Sequence, residues 1–377
     1  MLGQRLSDLP TPLLLLDLPT LERNAGRMAQ RAGALGLAFR PHVKTAKSMQ
    51  VVQRMLGSAA PRITVSTLRE AEYFLAGGIP DITYAVGIIP DRFERAARLL
   101  DAGARLTLVS DCPEVVGRLG RFARDTGRCF DLLIELDVGA HRAGLPVDGP
   151  DLLDLGRRIA ADAGLRLAGV LTHGGHAYGC DGPEALRAVA DREALDATRA
   201  AERLRQAGLA CPVVSIGSSP AAHALGDPAG ATELRAGVYV FNDLDQVELG
   251  CCGLGDIAVS VLASVIGHNR AAGRILLDAG TLALSKDAGL TTGVGRGYGL
   301  VCDPATLAPL EVGTLSAMSQ EHGLIAVTDA RAFDRLPVGA KVRILPNHAC
   351  ITSAAFDRYV VLAGQQVIGV WDRVNGW

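Results

Sequence analysis

The feature that most limits the fold of this chain is a repeated alternation between short apolar segments and longer amphipathic ones. Eight apolar segments, each as long as a β-strand, alternate with helix-like segments over about 210 residues. The predicted strands lie at 36–40, 62–66, 82–86, 105–109, 131–137, 167–172, 212–216 and 232–236. Eight strands with helical crossovers are typical of an α/β protein with a (β/α)8 barrel of the TIM type. A doubly wound open sheet is the structural alternative.

The alternation stops near residue 250, and a second pattern begins there. Predicted strands at 257–267, 274–278, 341–345, 358–363 and 366–371 are separated by turn residues rather than by long helical periods. This pattern predicts a mostly antiparallel β domain. We therefore expect a barrel over 11–248 and a β domain formed by 1–10 and 249–377, although the apolar segment 13–17 could belong to either unit.

Composition excludes several classes of protein. The chain of 377 residues is 49% hydrophobic and 21% charged, which is enough for a large core. Its net charge of −2 and the lack of a basic block give no electrostatic support for a nucleic-acid or anionic-membrane partner. No apolar run reaches the roughly 20 residues of a membrane span, and no signal peptide is visible at the N-terminus. We expect a cytoplasmic protein whose eight cysteines, none in a CxxC pair, are reduced.

Lys44 is the first candidate for chemistry. It follows the first predicted strand in the segment Arg40-Pro41-His42-Val43-Lys44, where a barrel keeps its active-site residues. A lysine held there near apolar walls can lose its proton and act as a nucleophile or form a Schiff base. The alternative is that Lys44 and Lys47 are a solvated pair in a loop.

Other polar residues follow the later strands of the predicted barrel. They are Asp137, His141 and Arg142 after the fifth, His173, His176 and Tyr178 after the sixth, Gly217, Ser218 and Ser219 after the seventh, and Arg235, Gly237, Val238 and Tyr239 after the eighth. The last two groups offer glycines for close backbone approach, hydroxyl donors and amide N–H groups, as a phosphate site requires. A phosphate site opposite a Schiff-base lysine suggests pyridoxal phosphate, although Gly-Ser-Ser is often only a turn.

The predicted β domain carries a candidate metal site. His348 and Cys350 lie two residues apart just after the predicted strand 341–345, so both can reach one ion. An imidazole and a thiolate suit Zn²⁺ with an open position for substrate, whereas a structural histidine and a buried cysteine are the alternative. A polar cluster at 320–323, which contains His322, would support this site, and we expect the glycine-rich segment 293–299 to be a mobile loop.

Together these motifs resemble the D-serine dehydratase and D-threonine aldolase family of pyridoxal-phosphate enzymes, which have an alanine-racemase-like fold. The resemblance covers essentially the whole chain. It rests on Thr11-Pro12 and on the segments 40–45, 64–72, 233–239, 320–323, 346–350 and 371–377.

The resemblance implies roles for individual residues. Lys44 would form the Schiff base with the cofactor and act as the base, Arg142 would contact the cofactor's phenolic oxygen, and His322 is a further candidate catalytic residue. The ring and phosphate would be held by His173, Tyr178, Gly217, Ser218, Ser219, Gly237, Val238 and Tyr239. His348 and Cys350 would bind a divalent metal, usually Zn²⁺, with Mn²⁺, Co²⁺ or Mg²⁺ as other choices, and the enzyme would be a homodimer.

The same resemblance implies a lyase acting on a small D-configured β-hydroxy amino acid, D-threo-3-hydroxyaspartate or D-serine. The dehydratases eliminate water to give a 2-oxo acid and ammonia, whereas the aldolases cleave the Cα–Cβ bond to give glycine and an aldehyde or glyoxylate. Aldolases of this family tend to carry His-x-Asp at the metal position, so His348-Ala349-Cys350 favours a dehydratase. A non-catalytic pyridoxal-phosphate-binding protein is a remote alternative, because such proteins usually lack the second domain.

Overall fold

The chain forms two compact units in the structure, which is a computed structural model that describes residues 1–289 and 297–377. The β unit comprises residues 1–26 and 238–375, and the barrel unit comprises residues 27–237 and 376–377. The first strand, β1 (Leu13–Asp17), belongs to the β unit, where it pairs antiparallel with 259–262 and parallel with 360–362. The predicted loop at 293–299 lies outside the described residues as far as residue 296.

The barrel unit is built on a parallel sheet. Its strands are β2 (Ala38–Phe39), β3 (Arg62–Val65), β4 (Asp81–Tyr84), β5 (Arg105–Ser110), β6 (Phe130–Asp137), β7 (Leu145–Pro146), β8 (Leu165–Thr172), β9 (Val213–Ile216) and β10 (Glu233–Leu234). Eight of them run in the order β2-β10-β9-β8-β6-β5-β4-β3, and β7 pairs with β6. In β6 all residues are buried except Asp131 and Asp137, which are half-buried, as expected for a parallel strand covered on both faces.

The two edges of this sheet meet. A parallel bridge between His42 and Thr64 joins the chain after β2 to β3, with Val43 N–H donating to the Thr64 carbonyl at 2.9 Å. Inside the sheet, buried Arg40 pairs with Glu233 on β10 (2.6 Å) and with Asp81 on β4 (2.7 Å). The strands therefore curl into the predicted barrel rather than into an open doubly wound sheet.

Helices connect the barrel strands in sequence. They are α1 (Leu18–Ala34), α2 (Met49–Leu56), α3 (Leu68–Ala76), α4 (Phe93–Asp101), α5 (Pro113–Asp125), α6 (Asp151–Ala161), α7 (Pro183–Gln206) and α8 (Ser219–Ala224), and the boundary between the two units falls within α1. Local interactions at the N-terminus determine where several of these helices begin. The Thr67 hydroxyl accepts the Glu70 N–H at 3.0 Å before α3, and α5 and α7 begin with proline, which is favoured in the first turn.

The β unit contains the remaining strands and four short helices. These are α9 (Leu244–Glu248), β11 (Val259–Asn269), β12 (Arg274–Leu277), α10 (Thr281–Leu284), β13 (Leu300–Cys302), β14 (Thr314–Met318), β15 (Gly323–Ala326), α11 (Ala332–Arg335), β16 (Lys341–Leu345), α12 (Ala349–Ala354), β17 (Arg358–Ala363) and β18 (Gln366–Asp372). The strand order is β14-β15-β12-β11-β1-β17-β18, with β16 pairing β11 and β13. Every pair except β1 with β17 is antiparallel, and Leu15, Leu262, Val360 and Leu362 centre one core cluster.

The predicted fold class is confirmed: a barrel-type α/β unit precedes a mostly antiparallel β domain. Each predicted barrel strand has an observed counterpart, but β2 and β10 have only two residues each. Pro41 has no N–H to continue a strand ladder, which limits β2. The sequence analysis did not predict β7, β13, β14 or β15, which have two to five residues each.

Two further findings concern the predicted class of protein. Along the two described stretches, no helix has both the length and the apolarity that crossing a bilayer requires. All eight cysteines are free thiols, as the absence of a CxxC pair predicted.

The pairing of β8 with β9 depends on a glycine. Gly169 has φ +142, and a Cβ placed on it would overlap the backbone of Val213. We expect Gly169→Ala to destabilise the protein by about 1–3 kcal/mol from backbone strain alone. Gly26→Ala is the matched control, because Gly26 lies on the exposed face of α1 with open space around it, and alanine there should stabilise by up to about 1 kcal/mol. Urea denaturation measures both, and equal stability of the two variants would contradict this account of the sheet.

Candidate active site

A cavity of about 250 Å³ lies at the C-terminal ends of the barrel strands. Its walls come from residues in or just after β2, β3, β4, β6, β8 and β10. The lining residues are His42, Lys44, Ser66, Ala85, Val86, Gly87, Glu135, Arg142, Ala143, Leu171, His173 and Arg235. Three are cationic and one is acidic, so the cavity favours an anionic ligand.

Lys44 is presented to this cavity by a rigid segment. The His42 N–H donates to the Ala236 carbonyl at 2.8 Å, and Val43 is bonded to Thr64 of β3 on the other side. Val43 and Thr45 are fully buried, whereas Lys44 between them is exposed. The backbone is therefore fixed on both sides while the amine stays accessible, which suits a nucleophile or a covalent attachment point.

Two arginines supply the other positive charges. Arg235 is 4% exposed; its Nε donates to the Ser215 hydroxyl at 2.8 Å, and its guanidinium also donates to the Thr172 carbonyl. Arg142 is more exposed, and its Nη2 lies 3.7 Å from Glu135 Oε1. Burial raises the pKa of Glu135, an effect that Arg142 opposes. Glu135 is thus the ion-pair partner of Arg142, the more exposed of the two arginines.

The two histidines of the cavity are held neutral. Burial, followed by the charges of Lys44, Arg142 and Arg235, lowers the pKa of His173 to about 3. Burial and the charge of Lys44 also lower the pKa of His42 well below its usual value. At neutral pH both imidazoles therefore offer uncharged ring faces and nitrogen lone pairs to whatever occupies the cavity.

The residues predicted to hold a phosphate lie together after β9 and β10. The Ser218 hydroxyl accepts the Ala221 N–H at 3.3 Å, and the Ser219 hydroxyl accepts the Gly237 N–H at 3.2 Å. Gly217 has φ +123, and a Cβ there would overlap the Arg235 carbonyl. A Cβ on Gly237 would lie 3.0 Å from the His42 carbonyl oxygen. Gly217 thus allows close approach to Arg235, and Gly237 allows close approach to the segment that carries Lys44.

The other predicted cofactor contacts lie elsewhere in their units. Tyr178 is half-buried in the 3-10 turn Gly175–Gly179 and is not among the residues that line the cavity. Val238 and Tyr239 begin the β unit in a buried 3-10 turn, where burial raises the pKa of the Tyr239 hydroxyl. Their roles toward a cofactor stay predictions.

The candidate metal site lies in the β unit at the start of α12. His348 interacts with Cys350 and, through Nδ1, with Asp287 Oδ2 at 2.9 Å. The Asp243 carboxylate accepts the Ala349 N–H at 2.9 Å and so fixes the backbone between the two candidate ligands. Burial would lower the pKa of His348, but Cys350, Asp243 and Asp287 raise it to about 10. The surroundings therefore favour positive charge at this imidazole.

The donor set fits a metal site that is completed by non-protein ligands. No group of three or more His, Cys, Asp or Glu side chains in residues 1–289 and 297–377 is arranged to hold a metal ion. One imidazole and one thiol two residues apart give two ligands of the kind that Zn²⁺ prefers. The remaining positions would be open to water or substrate.

His322 is not placed in either cluster by a side-chain contact. It closes the turn between β14 and β15, where its carbonyl accepts the Ser319 N–H at 2.8 Å, and its side chain is exposed. The same turn bonds to residues 281 and 282. Its catalytic role stays a prediction.

His42 and Arg235, which line the cavity, follow strand ends as the sequence analysis noted, but it gave neither a role. Glu135 also lines the cavity and was not among the candidates. Glu135 is inside β6, where a buried carboxylate in an apolar strand was the available signal.

Comparison with known proteins agrees with this architecture. Residues 16–245 match the family described as alanine racemase, N-terminal domain, and residues 258–362 match the putative serine dehydratase domain. The chain belongs to the alanine racemase N-terminal domain family. It is 46% identical to D-threo-3-hydroxyaspartate dehydratase of Delftia sp. (strain HT23), with 98% of each chain covered.

Two other relatives of this chain are relevant to the candidate site. A solved structure of D-threo-3-hydroxyaspartate dehydratase, a Cys-to-Ala mutant in the metal-free form, superimposes with a TM-score of 0.95 at 44% identity, covering 99% of this chain and 100% of that one. The 3-hydroxy-D-aspartate aldolase of Paracoccus denitrificans (strain Pd 1222) is 29% identical over 98% of this chain and 92% of its own.

The lowered pKa of His173 predicts a dependence of stability on pH. The unfolded chain protonates His173 near pH 6.5, but the folded chain resists protonation down to about pH 3. The unfolded state therefore binds more protons in this window, and stability falls with decreasing pH by about 1.4 kcal/mol per unit from this group. His173→Gln should flatten the fall.

Melting temperatures of wild type and His173→Gln between pH 8 and pH 5 test this expectation. The two curves should run parallel above pH 7, where neither state protonates the imidazole, and diverge below it. Parallel curves over the whole range would show that His173 is not held neutral by the fold.

Proposed function

We propose that this family member is a dehydratase that depends on pyridoxal phosphate and a divalent metal. Its substrate would be a D-configured β-hydroxy amino acid, D-threo-3-hydroxyaspartate first and D-serine second, and its products a 2-oxo acid and ammonia. The observation that carries the proposal is the exposed amine of Lys44 in a small cavity lined by Arg142, Arg235 and two neutral imidazoles. The 46% identity to the Delftia dehydratase supports the choice of reaction.

The cavity fits the cofactor in its chemistry. Lys44 is accessible for covalent attachment, and the lining is cationic, as a phosphorylated and phenolic group requires. Ser218, Ser219, Gly217 and Gly237 would hold the phosphate, and Arg142 would bind the phenolic oxygen. His173, with a neutral ring, would lie against the cofactor ring.

When bound, pyridoxal phosphate supplies an electron sink that makes the Cα proton of the substrate removable. The residues of this chain then do three things. Lys44 would hold the cofactor and, as a free amine, would accept the Cα proton at Nζ. Arg142 and Arg235 hold negative charge in the cavity. His42 and His173, whose pKa values are lowered chiefly by burial, would be too weakly basic to compete with Lys44 for that proton.

His348 and Cys350 would hold the metal, which supplies Lewis-acid assistance for departure of the β-hydroxyl group. Two observations support this assignment: the acidic surroundings of the imidazole, and the metal-free form of the relative in which a cysteine was replaced. Zn²⁺ is the ion that an imidazole and a thiolate prefer, and Mn²⁺ or Co²⁺ are the next choices.

The aldolase reaction is the alternative, because the same base, cofactor and metal would serve it. His348-Ala349-Cys350 and the higher identity to the dehydratase, 46% against 29% for the aldolase, favour elimination. A non-catalytic pyridoxal-phosphate-binding protein would have no need of His348 and Cys350.

Lys44 can be tested as the attachment point. Purified wild-type protein should show a visible absorption band from cofactor bound to lysine, and Lys44→Ala should lose it. Lys47→Arg is the control, since Lys47 lies three residues away and pairs with Glu70 at 3.1 Å, a contact that arginine preserves. Loss of the band in the control, or its persistence in Lys44→Ala, would show that another lysine carries the cofactor.

Product analysis tests the reaction. Metal-loaded protein is incubated with D-serine, D-threonine and both 3-hydroxy-D-aspartates. We expect ammonia with oxaloacetate or pyruvate, and loss of at least about 100-fold in rate for Cys350→Ala, because the Lewis acid would lose a ligand. Glycine with an aldehyde or glyoxylate would instead establish the aldolase, and no turnover of any substrate would favour a binding protein.

A further inference from the structure

Asp287 is an acidic residue of the β unit that the proposed chemistry does not use. Its side chain is fixed at both oxygens. Oδ1 accepts the Gly289 N–H at 3.0 Å, and Oδ2 lies 2.9 Å from Nδ1 of His348. A carboxylate can only accept, so Nδ1 of His348 carries the proton of this hydrogen bond. The remaining nitrogen, Nε2, is then the one left for a metal, which would displace any proton bound to it.

The segment that carries Asp287 is tied to the candidate metal loop at several points. The Asn347 side-chain amide donates to the Asp287 carbonyl at 3.1 Å and to the Gly297 carbonyl at 3.0 Å. The buried Thr352 hydroxyl donates to the Leu284 carbonyl at 2.9 Å. The contact between Asp287 and His348 is therefore supported by several other hydrogen bonds between the two segments, and it is not an isolated contact of one surface side chain.

The metal loop is also fixed from its other side. Leu244 N–H donates to the Pro346 carbonyl at 3.1 Å, Asp245 N–H donates to the Asn347 carbonyl at 3.2 Å, and Asp243 accepts from Ala349. These bonds hold the backbone of the loop but leave rotation of the His348 ring free. The His348 ring itself contacts the side chains of Cys350, the other candidate ligand, and of Asp287, which is therefore the contact that orients the ring from outside the ligand pair.

We propose that Asp287 is a positioning residue that fixes the tautomer and ring orientation of His348 and so presents Nε2 to the divalent metal. The inference rests on the proposed metal site. Because both carboxylate oxygens are already hydrogen-bonded, Asp287 acts through His348 rather than as a third ligand. With two protein ligands proposed among the described residues, correct orientation of His348 would account for a large part of the metal affinity.

The experiment measures metal binding rather than turnover. Zn²⁺ affinity is determined by competition with a chromogenic chelator for wild type, Asp287→Ala, Asp287→Asn and His348→Ala. We expect Asp287→Ala to weaken Zn²⁺ binding by roughly 10–100-fold, the usual effect of removing the outer partner of a metal-bound histidine. Asp287→Asn keeps a neutral acceptor and should weaken binding less.

A spectroscopic measurement separates orientation from general damage. In ¹⁵N-histidine-labelled protein with Zn²⁺, the wild-type His348 signals should show a protonated Nδ1 and a metal-bound Nε2. Asp287→Ala should lose this fixed pattern while its melting temperature without metal and its cofactor content stay at the wild-type level. Asp303→Asn is the charge-matched control, since Asp303 in the same unit only caps its own turn; it should bind Zn²⁺ like wild type.

The outcomes are distinguishable. If His348→Ala abolishes Zn²⁺ binding and Asp287→Ala binds like wild type, the inference is wrong and the proposed metal site stands. If wild type and His348→Ala bind Zn²⁺ equally, the metal assignment itself is wrong, and the inference falls with it. An equal loss of affinity in Asp303→Asn would also overturn the inference, because the effect would then be one of net charge.

Discussion

The barrel unit depends on Arg40, a buried cation at the point where the sheet meets its own edge. Arg40 follows β2, pairs with Glu233 on β10 and Asp81 on β4, and donates to the Ile63 carbonyl on β3. A buried charge is tolerated only when it is paired and hydrogen-bonded, so these strands are tied to one another through one side chain. Two residues later His42 bridges to Thr64, and after two more the chain presents Lys44. The same segment thus joins the sheet edges and carries Lys44, the candidate for covalent chemistry.

Electrostatics in the cavity follow from this construction. Three cationic side chains converge on a space that also contains His42 and His173, and two more charged imidazoles would repel them strongly. Burial and these neighbours keep both rings neutral. The cavity therefore offers uncharged polar rings beside three cationic side chains and adds no acidic imidazolium groups near Lys44. Glu135 contributes its negative charge beside Arg142, the less buried of the two arginines.

The sequence carried enough information to predict the layout of the fold but not all of the site. Hydrophobic period and turn residues located each barrel strand, and the rule that barrel chemistry follows strand ends located Lys44, Arg142 and His173. Glu135 was missed because it lies within β6, and an apolar segment of that kind predicts only a buried strand. Asp287 was missed for a different reason. Its contact with His348 joins residues 61 positions apart through a loop, and no local pattern encodes such a pairing.

The loop around His348 illustrates why a proposed metal site with few protein ligands needs additional support from hydrogen bonds around those ligands. A metal held by three or four side chains has its geometry fixed largely by their number. With two, small rotations of either ligand change the direction of the metal bond, so the surrounding hydrogen bonds must supply the missing constraint. Here Asp243 and Asp245 hold the loop backbone, Asn347 joins it to a second segment, and Asp287 holds the ring. The proposed site would leave coordination positions open for substrate while keeping His348 and Cys350 rigid, and it would therefore depend on these outer contacts as much as on the two ligands.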